Sequence, residues 1–342
     1  MKNEVSIGRV KIGGNNKIAI QSMTNTHTTD YKATVLQINA LEKAGADLVR
    51  IALPFNDSIK SLDYILKNIS VPLIGDFHFD HKLAIQGIEK GLAKIRINPG
   101  NISKLGIKEI VKAAKDRNTP IRVGINKGSV KESSPSPKRL AQLTIDSCKL
   151  IEDLGYNNLV LAVKSSNVCE TVQAYRELNK LTNHPLHIGL TESGFGHFAE
   201  MKSSIAIGSL LLDGIGDTIR VSLAGDPLKE IEAAKDILKA TGIDKNFVEI
   251  IACPTCGRCE IDIENLAKEV DKIVSPLKTP LKIAVMGCVV NGIGEGKDAD
   301  IGIAGGREKS ILFSQGKMVK TVDNINILSE FKTLLEKYNG SG

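Results

Sequence analysis

Four of the chain's six cysteines crowd into its last third: CPTCGRC supplies Cys253, Cys256 and Cys259, and GCVVNGIGEG supplies Cys288. Thiols at such spacing, with a fourth well downstream, are a strong metal signal, and two fillings fit, a tetrahedral zinc or an iron–sulfur cluster. A zinc ribbon usually offers a second C-x2-C knuckle, and none follows, so three close thiols and one distant one read more like the iron–sulfur arrangement. Glu295, in the glycine-rich stretch after Cys288, offers an oxygen ligand in place of one thiol. Iron bound through a carboxylate exchanges more readily, which suits a catalytic group. The same glycines lack the third glycine of a dinucleotide fingerprint. Cys148 and Cys169 fall in helix-period stretches and read as small core or near-surface hydrophobes.

A second set of residues is out of place in a different way. Strands buried on both faces should be nearly all apolar. Yet five strand-like segments carry a cation: Arg50, Arg96, Arg122, Lys164 and Arg220. Alternation along a strand points Lys94, Arg96 and Asn98 to one face, and does the same for Arg122, Gly124 and Asn126 and for Arg220 and Ser222. Unpaired charges inside a barrel cost several kcal/mol each, roughly, and the strand-borne acids Asp76 and Glu192 are too few to pair them. Outward-facing arginines snorkelling beneath helices would explain one such residue but not five. A polyanionic ligand would explain all of them, and a diphosphate matches several forked guanidiniums. Polar residues at strand ends (Gln21, Met23, Asn25, His78, the run Asn98–Asn101, and Thr191 with Glu192) would form the wall of the site. Glu192 is the acid/base candidate. His27, His81, His184 and His197 read as surface or supporting residues.

The elements that must hold these residues are legible by counting. Strand-like segments at 17–23, 47–53, 71–77, 92–98, 120–126, 158–164, 186–191 and 217–223 alternate with amphipathic helical stretches. Eight such units predict an α/β fold, a (β/α)8 TIM-type barrel over residues 1–243 with its chemistry at the carboxyl ends of the strands. Residues 244–342 read as a small α+β domain carrying the cysteines. Of the 342 residues 42% are hydrophobic but only 4% aromatic, with no Trp, so the core is aliphatic and aromatic platforms for bases are lacking. A net charge of +6 suits a small anion and does not by itself indicate nucleic acid. No apolar run reaches the ~18–20 residues of a membrane span, and the amino terminus shows no signal peptide, so a cytoplasmic protein with reduced thiols is expected.

At these residues the chain resembles the bacterial 4-hydroxy-3-methylbut-2-en-1-yl diphosphate synthase family. The carrying stretches are IQSMTNT (20–26), RINPGN (96–101), RVGIN (122–126), LTESG (190–194), GIGDTIRVSLAGDP (214–227), CPTC (253–256) and GCVVNGIGEG (287–296), in order over nearly the whole chain. The resemblance implies reductive ring opening of 2-C-methyl-D-erythritol 2,4-cyclodiphosphate with loss of a hydroxyl as water. It implies a [4Fe–4S] cluster held by Cys253, Cys256, Cys288 and Glu295, with Cys259 matching no ligand of the family. It implies that Arg50, Arg96, Arg122, Asn126, Lys164, Arg220 and Ser222 hold the substrate, while Thr191 and Glu192 face its hydroxyls and Glu192 carries a proton. Arg122, Asn126 and Glu192 are the residues expected closest to the chemistry.

With no nucleotide or flavin motif, electrons should come from a separate flavodoxin or ferredoxin. The last barrel helix should carry the chain away from the mouth, and the link at Thr241–Lys245 spans only ~15–18 Å when extended. A homodimer in which one subunit's cluster domain caps the other's barrel resolves this, and the resemblance implies the same dimer. Two rivals remain in view: a non-redox barrel transferase with a structural zinc module, and a zinc-bearing RNA-binding protein.

Overall fold

Alternating strands and amphipathic helices close on themselves in the first part of the chain. A computed structural model describes residues 2–78, 80–130 and 132–339, with the side chains of Val290, Asn291, Glu295 and Asn339 outside that description. The chain divides into two units, Met1–Thr241 and Gly242–Gly342.

Unit 1 opens with a short antiparallel hairpin, β1 (Val5–Ile7) and β2 (Val10–Ile12), which the sequence reading did not anticipate. Its alternating Val5, Ile7 and Ile12 pack on Ala19, Leu48, Ile74 and Val160, so it plugs the amino-terminal end of the barrel. Eight parallel strands follow: β3 (Ala19–Met23), β4 (Leu48–Ala52), β5 (Leu73–Asp76), β6 (Lys94–Ile97), β7 (Ile121–Asn126), β8 (Leu159–Lys164), β9 (His187–Ile188) and β10 (Thr218–Ile219). Their order is β8-β7-β6-β5-β4-β3-β10-β9, and a parallel bridge from Leu161 to Leu186 joins the two ends.

The helices between them are α1 (Tyr31–Ala44), α2 (Asn56–Lys67), α3 (His81–Glu89), α4 (Lys104–Arg117), α5 (Pro137–Glu152), α6 (Val168–Leu181), α7 (Gly196–Leu212) and α8 (Pro227–Ala240). Side-chain caps start most of them, among them Ser103, Ser136, Asn167 and Asp226, each accepting a hydrogen bond from a first-turn amide. The aliphatic side chains between helices and sheet form one continuous core.

The seventh and eighth strands are much shorter than the apolar runs suggest, two residues each. Gly189, at φ +150°, turns the chain directly after β9, where a Cβ would collide with the carbonyl oxygen of Arg220. The backbone there bends around the site in place of extending the sheet.

Unit 2 is a five-stranded mixed sheet with helices: β11 (Val248–Ala252), α9 (Ile263–Val274), β12 (Leu281–Met286), α10 (Val289–Glu295), β13 (Ile301–Ala304), β14 (Lys309–Ser314), β15 (Lys317–Asp323) and α11 (Ile327–Asn339). The order is β11 to β15 in sequence, parallel through β13 and antiparallel after it. Val270, Val274, Ile283, Ile301 and Phe331 form its own core.

Candidate active site

The strand-borne cations do point inward. Arg50, Arg96, Arg122 and Lys164 are buried, and Lys94 is fully so. Arg220 is nearly so, with its side chain 15% exposed. Against these six cations stand two carboxylates among the described residues. Asp76, at the end of β5, lies 3.1 Å from Arg96 and 3.6 Å from Arg50. Glu230, in the first turn of α8, accepts from Arg220 at 3.3 Å, from Ser22 Oγ at 3.2 Å and from the Leu223 amide at 3.1 Å.

Glu230 is a site residue that sequence reasoning missed, because only strand-borne acids were counted. Its signal was a glutamate at the start of a helix, right after the Arg220 strand and the Asp226-Pro227 cap.

The electrostatic consequences follow from this imbalance. Burial lowers the Arg50 guanidinium to about 10, with Asp76 opposing and Arg220 and Arg96 adding to the fall. Lys164 is pushed well below its ordinary value by burial and then by the guanidiniums of Arg122, Arg220, Arg50 and Arg96. Lys94 falls likewise, through burial and then Arg122 and Arg50. Burial pushes the Asp76 carboxyl up, but Arg50, Arg96 and Arg122 together outweigh it and hold Asp76 below the usual carboxylate range. Arg96 Nε is a buried donor with no partner. A strongly cationic cluster with an orphaned guanidinium N–H has the chemistry to accept a multiply charged anion.

Behind these charges lies a layer that the sequence did not suggest. Lys164 Nζ lies 3.5 Å from His187 Nε2, and His187 Nδ1 lies 2.7 Å from Thr218 Oγ1. Burial, then Lys164 and Arg122, push His187 well below its ordinary value, which keeps it neutral. Lys94 Nζ rests on Gln21 Oε1 at 3.3 Å. Gly124 leaves open the space beside Arg122 and Arg96.

The remaining expected residues stand at the carboxyl ends of the strands. Asn126 closes β7 and is paired in register with Lys164. Ser222 is half-buried beyond β10, and Thr191 is half-buried, its amide bonded to the Ser165 carbonyl at 3.3 Å. Glu192 is exposed and held in the left-handed region at φ +53°. His78 joins the group by meeting Arg96 Nη1 at 3.1 Å.

In unit 2, Cys253 follows β11 and Cys288 caps α10 directly after β12, so both thiols stand at the carboxyl ends of adjacent parallel strands. Cys253 Sγ accepts the Gly287 amide at 3.2 Å. Gly287 has no room for a side chain, since a Cβ there would lie 2.5 Å from Cys259 Sγ. With the Glu260 amide bonded to the Gly287 carbonyl, this glycine folds the cysteine loop against the start of α10. Cys256 is exposed at the loop's tip, while the Cys259 thiol donates to the Ile261 carbonyl at 3.1 Å.

Among the described residues, no three of these four thiols lie within 4.8 Å of one another. Ligands of a single tetrahedral ion stand ~3.8 Å apart at ~2.3 Å metal–sulfur bonds. Thiols that each hold a different iron of a cluster stand farther apart, so the donor set fits the multinuclear group better. The Glu295 side chain, expected as the oxygen ligand, lies outside the described residues.

Comparison with known proteins agrees with both halves. The profile of the GcpE TIM-barrel domain matches residues 2–235, and that of the GcpE protein C-terminal domain matches residues 249–337. The chain is 48% identical to the 4-hydroxy-3-methylbut-2-en-1-yl diphosphate synthase (flavodoxin) of Caldanaerobacter subterraneus subsp. tengcongensis, covering 98% of this chain and 97% of that one. It is 47% identical to the protein of the same name from Thermotoga maritima, covering 98% of each. Among solved structures, dihydropteroate synthase from Xanthomonas albilineans is similar over 70% of this chain and 98% of that one, with TM-score 0.52 and 14% identity. Type I 3-dehydroquinate dehydratase from Clostridium difficile is similar over 71% of this chain and 99% of that one, with TM-score 0.54 and 16% identity. At such identities the likeness speaks for the barrel alone.

Proposed function

The chain belongs to the GcpE family of 4-hydroxy-3-methylbut-2-en-1-yl diphosphate synthases, and we propose on that basis how its residues divide the work. The reaction is the two-electron ring opening of 2-C-methyl-D-erythritol 2,4-cyclodiphosphate to (E)-4-hydroxy-3-methylbut-2-en-1-yl diphosphate, with one hydroxyl leaving as water. The observation that carries the substrate assignment is the convergence of six cations on two carboxylates, with Arg96 Nε left unpaired.

Arg50, Arg96, Arg122 and Arg220 grip the phosphoryl oxygens, and Asn126 and Ser222 add neutral donors at the rim. Asp76 and Glu230 hold Arg96 and Arg220 in place before the substrate arrives, so little ordering remains to be done on binding. Burial and the neighbouring guanidiniums push Lys164 toward its neutral form, and an arriving anion opposes that push and makes it a further clamp. Thr191 and Glu192 face the substrate hydroxyls, and Glu192, still in contact with solvent, supplies the proton that leaves with the hydroxyl as water.

Cys253, Cys256, Cys288 and Glu295 are the residues that would hold a [4Fe–4S] cluster. When bound, that group supplies single-electron transfer and a Lewis-acidic iron. Cys259, spent on the Ile261 carbonyl, stands outside the set. A flavodoxin, as in the names of the relatives, or a ferredoxin delivers the electrons.

The active form is a homodimer in which one subunit's unit 2 caps its partner's barrel. Supporting this, α8 runs antiparallel to the strands and ends at the barrel's far side from the cations, and unit 2 begins directly after it. On α7, Phe198, Met201, Ile205 and Leu212 are exposed, an apolar surface of the kind a second copy covers. The six free thiols suit a reducing, cytoplasmic setting, and no helix among the described residues is long and apolar enough to cross a membrane.

Anaerobic purification followed by iron and sulfide analysis, and turnover with reduced flavodoxin, tests the assignment. About four irons and four sulfides per chain are expected. Stoichiometric zinc without sulfide would return the structural-zinc alternative.

A further inference from the structure

At the amino-terminal end of the barrel, away from the cation-lined mouth, three metal-binding side chains converge that the reaction does not use. Cys148 and Glu152 lie one turn apart on the same face of α5, and His184 stands in the link between α6 and β9. A sulfur, a carboxylate oxygen and an imidazole nitrogen from the three all lie within 4.8 Å of one another. No other trio among the described residues does so. We propose that Cys148, Glu152 and His184 form a structural site for a borderline-soft divalent cation, Zn2+, tying the end of α5 to the segment that leads into β9.

Cys148 and His184 are both buried, so an ion held by them would be shielded from water on that side. His184 Nε2 and Glu152 Oε1 are 3.0 Å apart, near the ~3.3 Å edge of a tetrahedron with ~2.0–2.1 Å bonds, so a shared ion requires only a small adjustment. The Glu152 side chain is 36% exposed, which leaves an open side for a water as fourth ligand.

Burial and then the Glu152 carboxylate push the Cys148 thiol up to about 12, so an ion must displace its proton. A doubly charged ion balances both a thiolate and a carboxylate where a proton balances only one. Binding therefore releases the thiol proton and weakens as pH falls. A sulfur, nitrogen and oxygen set selects zinc or cobalt over magnesium or calcium.

The test uses the full-length chain with its iron–sulfur cluster loaded, so that Cys253, Cys256 and Cys288 are occupied. After chelation under anaerobic conditions, ZnCl2 alone should restore one zinc per chain and raise the barrel's unfolding midpoint by about 5 °C. Cys148→Ala and Glu152→Gln should lose both effects. Co2+ in place of zinc should give a sulfur-to-cobalt charge-transfer band that Cys148→Ala abolishes. Should the variants not fold, the wild-type cobalt spectrum decides alone. Wild-type protein that takes up no zinc at micromolar concentration, shows no such band, or keeps it after Cys148→Ala overturns the site and leaves Cys148 a packed thiol beside an ion pair.

Discussion

Arg122 is buried, and among the described residues no carboxylate forms an ion pair with it. Burial followed by Arg50 and Arg96 pushes its guanidinium well below the ordinary value, with Asp76 opposing from a distance. Replacing a buried charge that has no ion-pair partner with an apolar side chain of similar length removes a cost, so Arg122→Met should keep or raise the unfolding temperature of the substrate-free protein. The same change should abolish binding of the cyclic diphosphate in calorimetry. A large stability loss with normal affinity would mean that Arg122 is structural. Arg96→Met is a harsher test, because it also strips Asp76 of its 3.1 Å partner.

Lys164 leads to a pH prediction at the same scale. Its value in the folded protein lies well below the unfolded 10.5, so between the two the unfolded chain holds a proton that the folded chain lacks. Stability then rises with pH across that window and is lost as pH falls through it. Substrate-free protein should melt higher at about pH 9 than at about pH 7, and Lys164→Met should flatten that slope. Inorganic pyrophosphate should flatten it too, by stabilising the charged lysine. Further into the alkaline range the buried thiol of Cys148 acts in the opposite sense, its folded value being raised from 9.0 to about 12.

At the scale of elements, the two short strands β9 and β10 matter more than their length suggests. Gly189 turns out of β9 at φ +150°, its α-carbon against the Arg220 carbonyl, and an added Cβ would also come within 3.1 Å of Lys164 Nζ. Gly189→Ala should therefore cost about 2–3 kcal/mol of stability in denaturant titration and weaken substrate binding. An unchanged midpoint would show that the backbone relaxes there freely. The α8 start has a related role, since Asp226 caps it and thereby sets Glu230 against Arg220 and Ser22. In unit 2, Gly287 plays the corresponding part for the cysteine loop.

At the scale of the molecule, the question is whether one active site draws on two chains. Mixing an Arg122→Met subunit with a Cys288→Ser subunit should restore about a quarter to a half of wild-type activity if barrel and thiols are shared across a homodimer. No recovery, with mixed dimers shown by mass spectrometry, would mean that each chain works alone.

Much of this was readable from residue order. Eight strand-and-helix units, the inward alternation of Arg96 and Arg122, and the paired CPTC and GCVVNG stretches are local periodicities and spacings, which a linear chain carries on its face. Strand length at β9 and β10 was not readable, because it depends on a glycine meeting a carbonyl thirty-one residues away across the barrel. The amino-terminal hairpin did leave a trace, the alternation of Val5, Ile7, Val10 and Ile12, but only the exposed barrel floor gives those residues somewhere to pack.

Residue types by themselves pointed to an anion and a metal, because cations in strands and clustered thiols call for a ligand to balance them. Only the tertiary structure decided which partners each charge keeps: Glu230 from a helix, His187 behind Lys164, and His184 beside Cys148. Those contacts join residues far apart in the chain, and their energies come from burial and distance, which exist only once the barrel has closed.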